Sequence, residues 1–179
     1  MPIIPQPIPF NVGSSGTGGA ESCELFSQLD GTFDDSNTSS QLGFGVRIDS
    51  GNTSIGKTMT SFTMDLKSSN TGTSAALTFG VWAIANTSAT PTAVFSGAIT
   101  NNTGLTTSYV TYTFTGSRTL VNEDVIGCFW GTPTGSGVIR QQLKNPATMT
   151  DSLYVKYVSD PRWASYGATH IPNMSAFQC

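Results

Sequence analysis

The chain has 179 residues, a formal net charge of −3, 37% hydrophobic and only 11% charged residues, about half the charged share of an average soluble domain. Ser, Thr and Asn make up about a third of it, alongside 10 Phe, 5 Tyr and 3 Trp; that supply of strand formers argues against a disordered chain. With no basic stripe to neutralise phosphates and no apolar run of about 20 residues, nucleic-acid binding and membrane insertion through a helix are both excluded.

Residues 1–22 differ from the rest. The opening PIIPQPIPF interleaves Pro with Ile and Phe, which favours an extended segment without internal hydrogen bonds. It has neither the basic start nor the unbroken apolar core of a signal peptide. NVGSSGTGG follows as a flexible tether. Such an arm cannot bury Ile3, Ile4, Ile8 and Phe10 by itself, so these four are the candidate docking residues for a neighbouring subunit. A solvated terminus is the competing reading.

Residues 23–179 are expected to form the folded domain. From residue 40 the chain breaks into eight short runs separated by Gly, Asn, Ser and Pro clusters. QLGFGVRID comes first. SFTMDLKSS then puts Phe62, Met64 and Leu66 on one face, with Thr63, Asp65 and Lys67 on the other, a period of two. In LTFGVWAIAN, Leu77, Phe79, Val81 and Ala83 are expected inward and Trp82 and Ile84 on the opposite face. TAVFSGAIT is followed by YVTYTFTGS, which sets Val110, Tyr112 and Phe114 against Tyr109, Thr111 and Thr113. DVIGCFWG, GVIRQQLKN and SLYVKYVSD complete the series. No helical periodicity of useful length intervenes. The expected fold is all-β: an eight-stranded antiparallel β-sandwich, most simply a jelly roll, preceded by the extended N-terminal arm.

The stretch IGKTMTSFTMDLKSSNTGTSAALTFGVWAIANTSATPTAVFSGAIT, with LTTSYVTYTFTGSRTLVNEDVIGCFW after it, resembles a jelly-roll domain of the carbohydrate-binding-module type, found in extracellular and in virion proteins. The resemblance covers residues 40–131 and rests on strand pattern, not on a catalytic signature. It implies a sandwich used for binding or assembly. The arm and the C-terminal YVSDPRWASYGATHIPNMSAFQC lie outside it.

Catalytic chemistry finds little footing. The single histidine, His170, stands in GATHIPN without a nucleophile motif. Glu occurs only at Glu21, Glu24 and Glu123, and the adjacent Asp124 does not make a glycosidase pair with Glu123. The chain is expected not to be an enzyme and to need no cofactor. The one metal candidate is a structural calcium at DGTFDDSN, through Asp30, Asp34, Asp35 and Asn37, against the reading of a solvated acidic turn. Trp163 and Tyr166, in the loop-like DPRWASYG, are candidate contacts for a glycan or a partner pocket; closing one end of the core is the alternative role for Trp163. Of three cysteines, Cys128 is expected buried in an apolar strand, while Cys23 and Cys179 flank the domain and can pair with each other or across subunits.

These readings point to a virion structural protein, a capsid decoration, cement or fibre-associated subunit. Its partners would be other virion or assembly subunits, with homo-oligomerisation expected. Two alternatives stand beside it: a glycan-binding or adhesion module, extracellular or at a cell surface, and a surface-layer or filament subunit.

Overall fold

The computed structural model describes residues 24–27, 32–35, 41–69, 76–84, 90–97, 99, 105–130, 138–145, 152–157, 163–167 and 171–178. Alternating apolar and hydroxyl side chains cannot make a one-sided helix but do make a one-sided strand. The described residues accordingly form thirteen strands and no helix. These are β1 (Glu24–Ser27), β2 (Thr32–Asp35), β3 (Gln41–Arg47), β4 (Thr58–Ser68), β5 (Leu77–Ala83), β6 (Ala93–Gly97) and β7 (Val110–Thr119). They continue with β8 (Asp124–Trp130), β9 (Ile139–Asn145), β10 (Ser152–Tyr157), β11 (Trp163–Gly167), β12 (Ile171–Pro172) and β13 (Met174–Phe177).

All eight predicted runs are strands, β3 to β10. Five short strands, β1, β2 and β11 to β13, join these eight among the described residues. Every ladder is antiparallel, in the order β1-β13-β4-β7-β6-β5-β8-β3-β10-β11. Beyond β13, the same edge of β4 pairs Leu66–Ser68 with β9, which also carries β2 and β12.

Strand β6 makes the sheet curl. Its first half pairs with β5, through Phe95↔Phe79 and Ala93↔Val81, and its last two residues pair with β7, through Ser96↔Thr115 and Gly97↔Phe114. A Cβ at Gly97 would run into the Thr113 carbonyl and the Phe114 ring, so this corner requires glycine. The architecture is therefore a sandwich-like, curled antiparallel sheet, its two halves joined through one shared strand.

The core lies inside the curl. Phe79 of β5 stacks on Phe114 of β7 with ring centroids 3.8 Å apart, joining the two halves directly. Phe62 sits 5.3 Å from both Phe95 and Phe114, and Phe44 packs 5.5 Å from Trp130. Phe62, Met64 and Leu66 face inward as expected, as do Leu77, Phe79 and Val81, and Tyr112 and Phe114. Full burial of such side chains stabilises by roughly 1.5–3 kcal/mol each. Two positions break the expected alternation. Ala83 is exposed and Val110 is 40% exposed, because each ends its strand at the rim of the curl.

The outer face of β5 and β8 is also buried. Trp82 and Val125 form a second cluster there with Ile84 and Phe129. Buried on both faces, β8 reads as the near-continuous apolar run DVIGCFW. Gly45, Gly127 and Gly80 face one another across β3, β8 and β5. A Cβ at Gly127 would strike the Phe44 carbonyl, so glycine is what lets β3 and β8 approach. Cys128 is fully buried, as expected.

The rim near the β7–β8 turn is tied by ionic bonds. Asp124, with no exposure, accepts from Arg118 Nε at 3.0 Å, Arg118 Nη2 at 2.8 Å and the Val121 amide at 3.0 Å. Glu123 adopts a left-handed φ of 70°. That conformation lets its amide donate to the Ile48 carbonyl at 2.9 Å and its carbonyl accept from the Ile84 amide at 3.1 Å. The ends of β3, β5 and β8 are thereby locked together.

Candidate functional site

Arm residues Ile3, Ile4, Ile8 and Phe10 lie outside the described residues, as do His170, Cys23 and Cys179. Of the acidic stretch, Asp34 and Asp35 belong to β2 and ladder against Leu143 and Gln142 of β9, while Asp30 and Asn37 lie outside the described residues. The stretch is thus not one continuous loop. Trp163 and Tyr166, expected in a loop, belong to strand β11, where Trp163 pairs with Lys156 at one end of the strand order. The structure does not bring Trp163 and Tyr166 together with the acidic stretch through any ladder: β2 pairs with β9, and β11 with β10.

The curl leaves an opening at its corner. β6 accompanies β5 only over Phe79–Val81 and then departs toward β7. The first residues of β5, Leu77 and Thr78, keep β8 on one side through Trp130 and Phe129. On the other side the sheet parts. The opening holds about 260 Å³ and is walled chiefly by Leu77, Phe79, Val94 and Phe95, with Thr78 and Ser96 at its lip. It is smaller than a typical small-molecule site and suits one or two side chains. Val94, 64% exposed, stands beside it as the most exposed large hydrophobic residue among those described. The sequence carried a hint: Val94 and Phe95 are adjacent in a strand, so only one can face the core. What the pattern did not contain was the parting of β6 from β5.

A second surface is the outer face of β4 and β7. Thr111, Thr113 and Thr115 are exposed there opposite Asp65, Thr63 and Ser61. Asp65 accepts from the Thr111 hydroxyl at 2.5 Å and from the Asn173 side-chain amide. Lys67 lies 4.1 Å above the Tyr109 ring. The polar groups of this face are largely engaged with one another, and its depression between Asp65 and Asn173 holds only about 90 Å³. That leaves the corner opening as the stronger candidate.

Perturbed ionisation among the described residues belongs to structural groups. The hydrogen bond to Asp124 raises the Arg118 pKa above its ordinary value, opposed by partial burial and helped by the Asp124 charge. Burial alone pushes the Cys128 thiol well up, which keeps it protonated and unreactive. Neither group lines the opening.

No protein family, curated protein or solved structure matches the chain.

Proposed function

We propose that this chain is a non-enzymatic structural subunit that assembles with copies of itself by seating its N-terminal arm in the corner opening of a neighbour. The setting we favour is a virion surface, with the chain as a capsid decoration, cement or fibre-associated subunit. The observation that carries the reading is the complementarity of two surfaces in one chain. The arm offers Ile3, Ile4, Ile8 and Phe10, and the opening offers apolar walls at Leu77, Phe79, Val94 and Phe95. Pro at positions 2, 5, 7 and 9 removes backbone donors, so the arm is poorly suited to extending a ladder and well suited to presenting side chains to a hole. A Gly/Ser-rich sequence of the length that separates Phe10 from β1 would span about 20 Å as a random coil, enough to reach an adjoining copy. Each contact is small, and repetition over many copies supplies the avidity. The low charge, the hydroxyl-rich face of β4 and β7 and the jelly-roll resemblance agree with this role.

Sedimentation of the full chain across a concentration series tests it. Val94→Lys and Phe10→Asp are each expected to weaken assembly at least tenfold, and together no more than either alone, because both remove one contact. A wild-type chain that stays monomeric, or variants that assemble like wild type, would overturn the reading.

A second reading is a glycan-binding or adhesion module that uses Trp163 and Tyr166. The observation in its favour is that β11, which carries both residues, stands at one end of the strand order among the described residues. Loss of glycan-array binding on Trp163→Ala would support it, and a blank array would count against it.

A further inference from the structure

We infer that a neighbour's arm enters the corner opening as a one-edged β-strand, pairing its backbone with Leu77 and lodging Ile8 and Phe10 inside. The inference rests on the assembly proposed above and specifies how the opening recognises its occupant.

The register shows which backbone groups face the opening. Along a strand the N–H and C=O of one residue point to the same edge, and successive residues alternate edges. Val81 faces β6, since its carbonyl accepts from the Thr92 amide at 2.7 Å. Ile84 faces the β8 side, since its amide donates to the Glu123 carbonyl at 3.1 Å. The β5–β8 register runs from Leu77 to Ala83 without a shift, so the alternation holds along β5 and Leu77 shares the edge of Val81. Continued by two residues, the β5–β6 register would set Leu77 against Gly97, but Gly97 pairs with Phe114 of β7 instead. The opening is thus a ladder position that β6 leaves as it turns away. The Leu77 backbone forms its margin, and Phe79, Val94 and Phe95 wall it.

A strand that takes this position meets two conditions at once. The residues that donate toward Leu77 lie on one edge. The side chain opposite Leu77 points inward as Leu77 does, because directly paired residues share a face, and Leu77 is buried. Both conditions select the same alternate residues of the incoming strand.

The sequence of the arm satisfies both. In IPQPIPF, Pro occupies positions 5, 7 and 9, while Ile4, Gln6, Ile8 and Phe10 keep their amides. As a strand this stretch would carry every donor on one edge and none on the other, which is how proline is accommodated in an edge strand. Such a strand cannot extend a ladder, but it can end one. The donor-bearing residues also share a face, and all of them but Gln6 are apolar. Ile8 and Phe10 are next neighbours on that face, about 7 Å apart, which suits an opening of about 260 Å³. Gln6 separates them from Ile4, and Ile3 stands out of phase.

Synthetic peptides of residues 1–12, added to the full chain and followed by sedimentation, test this. One peptide is unmodified, one is N-methylated at Ile8 and Phe10, and one is N-methylated at Ile3. N-methylation removes the amide donor and leaves the side chain. The unmodified and Ile3-methylated peptides are expected to dissociate assemblies at the same concentration, and the doubly methylated peptide to need at least about tenfold more. In the assembled full chain, hydrogen exchange at the Leu77 amide should slow at least about tenfold relative to the Phe10→Asp chain, with Thr78, which faces β8, unchanged. Equal potency of the three peptides, or Leu77 exchange alike in both chains, would overturn the inference while leaving side-chain docking in place. An unmodified peptide without effect on assembly would remove the underlying reading, and this inference with it.

Discussion

Replacing Asp124 by Ala is expected to destabilise the fold by about 3 kcal/mol. Asp124 has no exposure and accepts three hydrogen bonds, two of them from the Arg118 guanidinium. Breaking a buried pair from one side typically costs about 3–5 kcal/mol. The Arg118 side chain is 24% exposed, however, so it recovers part of its loss by turning to water. The Val121 amide also loses its acceptor, and because Val121 is 46% exposed it too turns to water. Asp124→Asn keeps the shape and an acceptor, and should lose about half as much. Urea unfolding followed by far-ultraviolet circular dichroism is the assay. With an m-value of about 2–3 kcal/mol/M for a domain of this size, the Asp124→Ala midpoint falls by more than about 1 M. A double-mutant cycle with Arg118→Met should return a coupling of at least about 1 kcal/mol. An Asp124→Ala protein within about 0.5 kcal/mol of wild type, or a coupling of zero, would refute the reasoning and reduce the pair to a surface contact.

Two further outcomes follow from the same structure. Because burial raises the Cys128 pKa in the folded state, the stability tied to that thiol is fully present below its unfolded value, about 8.5. It is then lost as pH rises from there toward the folded value, by up to about 1.4 kcal/mol per pH unit; the wild-type minus Cys128→Ala difference in urea midpoint from pH 7 to 10 measures this, and a flat difference would contradict it. At Glu123, where φ is 70°, Glu123→Asn should stay within about 0.5 kcal/mol of wild type, since Asn tolerates the left-handed region, whereas Glu123→Val should cost about 1–2 kcal/mol more. The thermal midpoints of the two variants decide it, and equal midpoints would argue that the turn relaxes.

The alternation of side chains made the long middle of the chain legible. SFTMDLKSS and YVTYTFTGS have one core face each, and their buried residues are the ones the period of two selects. Trp82, placed by the pattern on the face opposite Phe79, is fully buried there in a cluster of its own; the period of two was silent where burial depends on neighbours distant in sequence. ELFS, TFDD, WASYG and MSAF are too short for a period of two to stand out, and they owe their strand state to the ladders they join. The corner opening was illegible for a related reason. It exists because β6 changes partners halfway along, and no local residue pattern encodes a change of partner. Gly97, at the point where β6 meets β7, and the adjacent apolar pair Val94 and Phe95 marked the place without revealing the parting.

The position of β13 between β1 and β4 has a consequence for the order of assembly. Among the described residues β1 ladders only with β13, about 150 residues further along. During synthesis the first strand therefore emerges long before its partner exists, and the closing of so wide a loop is a late event. Until then the near edge of β4 is uncovered over Ser61–Met64. A chain stopped short of Met174 would keep that edge open and leave β1 without a seat.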